Sequence, residues 1–211
     1  EAARHQADHD ALLQGQGGGE NPYHIHQELG DTMTRAATVV RRNEQLSEAL
    51  DTVRELRDRA NRCSLSDSGN WTNQNVVFTK ALRDMFPIAL SILEGALARD
   101  ECRGAHFKPD FARKSLQSED DAERRREAEQ WCDEFEQNNR KFLKSTIASW
   151  NGEEPSLSYE DVDTSIIPPR PRLYGLVGAE VIEEVWRERT AKKASENGAE
   201  ASSSETATAT N

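Results

Sequence analysis

The chain has 211 residues, of which 35% are hydrophobic and 31% charged, with a formal net charge of −11. That composition supports one modest core with solvated appendages, and no segment concentrates the cations that a nucleic-acid backbone demands, which excludes nucleic acid as a partner. Cys63, Cys102 and Cys132 form no CxxC pair and are odd in number, which suits a reducing, cytoplasmic setting; no apolar run approaches the roughly 20 residues that span a bilayer, and the first residues carry no signal-peptide core.

Residues 1–20 end in Gly15-Gln-Gly-Gly-Gly19 and read as a flexible linker from an upstream domain. Asn21-Pro22 then offers an N-cap followed by proline at the first helical position, where a missing N–H is no loss. Ile25, Leu29, Met33, Ala36 and Val40 recur at helical spacing and predict a first helix to about residue 41. Asn43 is placed to cap a second helix, whose apolar stripe is Leu46, Leu50, Val53, Leu56 and Ala60. The turn-rich Ser64–Asn70 breaks the pattern.

A third, longer and less polar helix follows, apolar on more than one face from Val76 to Leu97 and so placed centrally. Pro87 falls inside it and should bend it or be absorbed locally, and Gly104 is suited to a left-handed C-cap. Three helices with short connections fold most simply as an antiparallel bundle, here over residues 21–118. Residues 119–175 change character: a charged, exposed helix over 119–136 with Trp131 and Phe135 on one side, then two short strands, Lys144–Trp150 and Ser156–Glu160, around an Asn151-Gly152 turn. Pro168-Pro-Arg-Pro-Arg172 is rigid and extended. Over 176–211 the pattern predicts an extra helix, Leu176–Arg189, and a disordered tail from about Lys192. The fold class is therefore mainly α: a three-helix antiparallel bundle followed by an extended, partly β C-terminal segment.

Motifs that carry chemistry are sparse. No GxGxxG or Walker-type loop opens a helix after a strand, no nucleophile-elbow sequence occurs, and His24 and His26, two apart on a helix, diverge by about 200° and cannot share a metal. The sequence thus offers no catalytic, cofactor-binding or metal residue. The acidic clusters at 119–121 and 133–136 read as solvated helix faces. Arg103 and His106 stand out because they straddle a helix C-terminus, where exposed carbonyls favour cations; with Gly104 they form a candidate helix-terminating or interdomain contact.

Several separated segments resemble the C-terminal domain of the succinate dehydrogenase/fumarate reductase flavoprotein subunit. They are Tyr23-His-Ile-His-Gln-Glu-Leu-Gly30 with Met33-Thr34, Val39-Val40-Arg41 with Asn43, and Trp71-Thr-Asn-Gln74. The most specific are Arg103-Gly-Ala-His106 with Asp110-Phe111, and Leu157–Asp163 with Pro168-Pro-Arg-Pro-Arg172. Cys102, where the family usually has serine, and Pro87 depart from the pattern. The resemblance implies a parent that oxidises succinate to fumarate through covalently attached FAD held by an upstream flavin-binding domain. It implies partners in that domain and an iron–sulfur subunit, and indirectly in membrane anchor subunits, at the cytoplasmic face of the inner membrane. The family's catalytic residues lie upstream, so this chain is expected to be an inactive scaffold within an FAD-dependent oxidoreductase. An L-aspartate oxidase, which shares the Arg-Gly-x-His turn, and a stand-alone helical interaction module are the alternative readings.

Overall fold

The computed structural model describes residues 2–14, 19–67 and 69–208. Its helices are α1 (Ala2–Leu13), α2 (Pro22–Ala37), α3 (Asn43–Asn61), α4 (Gln74–Ala98), α5 (Asp121–Phe142) and α6 (Ala179–Thr208), and its strands β1 (Lys144–Trp150) and β2 (Pro155–Asp161). The chain divides into two compact units, Glu1–Ala112 with Ser145–Glu160, and Arg113–Lys144 with Asp161–Asn211. The β-hairpin therefore belongs with the helical bundle, a division that differs from the consecutive blocks the sequence suggests, because the strands return to helices far upstream.

In the first unit, α2, α3 and α4 close around Ile25, Leu46, Val53, Leu56, Leu82, Phe86, Leu90 and Leu93, all essentially inaccessible. Asn21 caps α2, its side chain accepting from the Tyr23 N–H at 2.9 Å. The helix stops at Ala37, short of the expected residue 41, since Val39 and Arg41 turn outward into backbone pairing with Phe107. Asn43 is the first residue of α3 rather than its cap; Arg42 occupies the cap position, and the Asn43 amide donates to Asp100 instead. Asn73 caps α4 by accepting from the Asn75 and Val76 N–H groups. Pro87 leaves α4 continuous: the buried Phe86 and Leu90 on either side hold the helix in the core where one backbone hydrogen bond is missing.

Where the sequence suggests a linker, α1 is helical, as its alanines favour. It packs on α4 through buried Leu12 and through Asp8, which accepts from Arg83 at 2.8 Å. Residues 15–18 of the glycine run lie outside the described residues. The hairpin β1–β2 forms over the expected residues, with Asn151 as its turn acceptor. It is fastened to α3 by Glu154, which accepts from both Arg54 and Arg57 at 3.1 Å.

In the second unit, Asp120 caps α5. This helix buries Ala128, Trp131, Cys132 and Phe135 against Leu116 and against Ile182 and Val185 of α6. The ion pairs Arg124–Glu180, Arg189–Asp133 and Lys193–Glu136 advance together along both helices, so α5 and α6 run parallel. The helix α6 starts three residues after Leu176 and continues through Lys192 to Thr208, where the sequence suggests a disordered tail. Residues 191–196 are all exposed, so the helix there rests on the intrinsic propensity of Ala, Glu and Lys and not on burial. Residues 209–211 lie outside the described residues.

Candidate functional site

The segment that follows α4 folds back as a tight hairpin. Arg103 N–H donates to the His106 carbonyl at 2.9 Å, and His106 N–H returns a bond to the Arg103 carbonyl at 3.0 Å. Gly104, at φ +61°, sits at the first central position of this two-residue turn, the place where a type II′ turn requires a positive φ. It does not cap α4, whose C-cap is Arg99 in extended conformation.

Behind the turn lies a buried charge. Glu101 is 1% exposed, and each of its oxygens is gripped by a guanidinium. Arg99 donates to one through Nε at 3.0 Å and Nη2 at 2.6 Å, and Arg103 to the other through Nε at 3.1 Å and Nη2 at 2.9 Å. Paired guanidinium forks are among the few arrangements that offset the desolvation of an interior carboxylate. Arg99 also reaches the Thr146 hydroxyl of β1 at 3.0 Å, and this carries the same network into the hairpin. The cation at the last carbonyls of α4 is Lys108, itself 1% exposed, donating to the Leu97 carbonyl at 3.1 Å and to Asp100 at 3.0 Å. Such a cation satisfies carbonyls the helix leaves open and lies favourably on its dipole.

His106 joins three elements. Arg41 Nη1 donates to its Nδ1 at 2.8 Å, and its Nε2 lies 2.9 Å from the Arg99 carbonyl. A ring that accepts at Nδ1 and donates at Nε2 is the neutral tautomer. Arg41 in turn donates to the carbonyls of Thr38 and Ala37, closing the end of α2. Burial pushes the His106 pKa below its ordinary value; the Arg41 and Lys108 cations add to this, while the Arg99 carbonyl and Glu101 oppose it. A histidine with a depressed folded-state pKa contributes stability that is complete above its unfolded value near about 6.5 and declines as pH falls below it, because the unfolded chain then binds the proton more readily. Melting temperature measured from pH 7.5 to pH 5 should therefore fall more for the native chain than for His106→Gln, which can donate and accept without titrating. Parallel curves for the two proteins would remove His106 as the source.

The turn thus brings together segments far apart in sequence. Phe107 pairs with the backbone of Val39 and Arg41 at 3.1 and 2.8 Å. Val40 and Phe107 are thereby bridge partners, and Val39 (57% exposed), Val40 (48%), Phe107 (38%) and Phe111 (40%) make a collar of partly exposed apolar residues on the segments beside the turn. The sequence singled out Arg103, Gly104 and His106, and the structure adds Glu101, Lys108, Arg99 and Arg41. The run Arg99-Asp-Glu-Cys-Arg was the available signal, since alternating charges immediately after an apolar helix have few places to go except onto one another. His24 and His26 are exposed, and His26 meets Phe78 edge-on. Among the described residues no three His, Cys, Asp or Glu side chains are grouped to hold a metal.

Residues 26–174 match the family described as fumarate reductase flavoprotein C-term. The chain is 36% identical over 159 residues to the succinate dehydrogenase flavoprotein subunit of Bacillus subtilis, a match covering 74% of this chain and 23% of that protein. It is 29% identical over 164 residues to the fumarate reductase flavoprotein subunit of Escherichia coli, covering 77% and 24% respectively. Among solved structures, an E. coli quinol fumarate reductase superposes with a TM-score of 0.63 at 27% identity, over 82% of this chain and 26% of that one. The chain spans about a quarter of the length of these relatives. Because the matched span covers well over half of its residues, the chain belongs to the family of C-terminal domains of succinate dehydrogenase/fumarate reductase flavoprotein subunits.

Proposed function

We propose that this chain is the helical scaffold of an FAD-dependent succinate dehydrogenase, and that it packs against the flavin-binding part of the parent subunit through the face around Arg103–His106. The observation that carries this reading is the apolar collar. Four hydrophobic residues between 38% and 57% exposed stand on segments that the Val39–Phe107–Arg41 backbone bonds tie together, and exposed apolar residues gathered from distant segments are what an interaction site presents. The parent reaction removes two hydrogens from succinate to give fumarate, with FAD as acceptor and an iron–sulfur subunit leading electrons to quinone.

The described residues offer no cradle of the kind a flavin's pyrophosphate needs. Among those described, β1 is followed by a hairpin and β2 by an extended segment, so no strand, glycine turn and helix N-terminus occur in the order that cradles a pyrophosphate. We assign the flavin and the catalytic residues to other parts of the parent. Among the described residues no helix is long and apolar enough to cross a membrane, and attachment to a membrane is assigned to anchor subunits.

Val39→Lys is the direct test, because Val39 is 57% exposed and belongs to neither hydrophobic core. In this chain alone the change should alter stability by no more than about 0.5 kcal/mol, as for other surface sites. In the full flavoprotein subunit it should lower flavin retention and succinate turnover severalfold, since it buries a lysine against the neighbouring domain. Small, equal effects in both settings would contradict the docking role. Arg103→Ala is a less clean probe, because Arg103 also holds Glu101 within this chain.

A further inference from the structure

Within the second unit, α5, the segment after β2 and α6 line an open cavity of about 770 Å3, a size that suits a small organic ligand. Its apolar wall is built from Leu143, Val162, Pro168 and the Trp186 ring. The family match ends at residue 174, before Trp186, Thr190 and Lys193, which line the cavity from α6, so this cavity lies partly outside what the family shares.

The charges around it are selective. Arg140, Lys144, Arg170 and Lys193 line it against only Glu136 and Asp161, in a chain whose net charge is −11. Lys193 is matched by Glu136 at 2.9 Å, Lys144 by Asp161 at 3.4 Å, and Arg170 by Glu183 outside the lining at 2.7 Å. Arg140 is exposed and has no carboxylate partner among the described residues. A planar guanidinium lining the same cavity as an indole and two prolines offers an oxyanion two donors and a flat hydrocarbon a surface to lie on. We propose that this cavity binds a small organic anion with a flat apolar body, the body lying against Trp186 and Pro168 and the carboxylate or sulfonate at Arg140. The proposal is independent of the docking face on the first unit.

The probe is anilinonaphthalene sulfonate, titrated into the full chain and followed by its fluorescence, with uncharged phenylnaphthylamine as the comparison. One saturable site is expected, with the sulfonate binding at least about fivefold more tightly than the neutral compound and weakening as salt rises from about 0.05 M to about 0.5 M. Arg140→Glu should weaken the sulfonate by about tenfold, with only a small fall in melting temperature from placing a carboxylate in the last turn of α5. Val162→Trp, which fills the cavity from its exposed rim, should abolish binding of both compounds. No binding up to about 1 mM, equal affinity for the two compounds, or an unchanged constant in Arg140→Glu would each overturn the proposal.

Discussion

Replacing Glu101 with alanine is expected to cost the folded chain about 3 kcal/mol or more, the penalty for removing one side of a buried ion pair. The carboxylate is 1% exposed and is the common partner of Arg99 and Arg103. Without it two guanidinia face each other beneath the turn, and Arg99 loses the brace that aims it at Thr146 of β1. The loss should therefore reach both the turn and the hairpin. Urea unfolding is the measurement, with Asp58→Ala as the reference: Asp58 is 66% exposed, 3.9 Å from Arg57, and its removal should stay within about 0.5 kcal/mol. A Glu101→Ala midpoint indistinguishable from that of Asp58→Ala would mean that the network contributes little to the fold.

Gly178→Ala is expected to destabilise the second unit by about 2–4 kcal/mol, combining backbone strain with overpacking. Gly178 has φ +83°, and a Cβ there would lie 2.5 Å from Leu116 Cδ1, 2.6 Å from Cγ and 2.9 Å from Cβ. No single rotation of Leu116 relieves contacts that reach its own Cβ, and Leu116 is 7% exposed in the core with Trp131 and Ile182. Gly104→Ala makes the comparison. Its φ is +61°, but nothing lies within 4 Å of the added carbon, so it should cost only the strain, about 1 kcal/mol. Tryptophan emission, sensitive to the packing of Trp131 and Trp186, would report the first loss. Equal effects at the two glycines would show that the Leu116 approach is unimportant.

Much of the bundle was legible because it is written locally. The Asn21-Pro22 start, the stripe from Leu46 to Ala60 and the Asn151-Gly152 turn each specify an element by neighbouring residues alone. The ends were less legible. Val40 continues the helical spacing of Ile25 to Ala36, yet the backbone on either side of it, at Val39 and Arg41, pairs with Phe107, more than sixty residues later, and that tertiary bonding outweighs the local pattern. Gly104 looked like a helix terminator because a positive φ serves a C-cap and a hairpin turn equally well. At the site, Arg103 and His106 were visible from their position and from the family resemblance. The burial of Glu101 and Lys108 was not, since no local rule says which charges in Arg99–Lys108 turn inward. For α1 a glycine-rich neighbourhood concealed a sequence whose alanines favour a helix.

The family membership and the collar beside the turn together make one claim: in the parent subunit, this face is covered by the flavin-binding part. Hydroxyl-radical footprinting tests it most directly, comparing this chain alone with the full flavoprotein subunit and reading oxidation at Val39, Val40, Phe107 and Phe111, with Tyr174 (88% exposed) followed in parallel as a reference on the second unit. The account predicts that the four collar residues are oxidised readily in the isolated chain and are protected severalfold in the full subunit. Equal oxidation of the collar in both would contradict it.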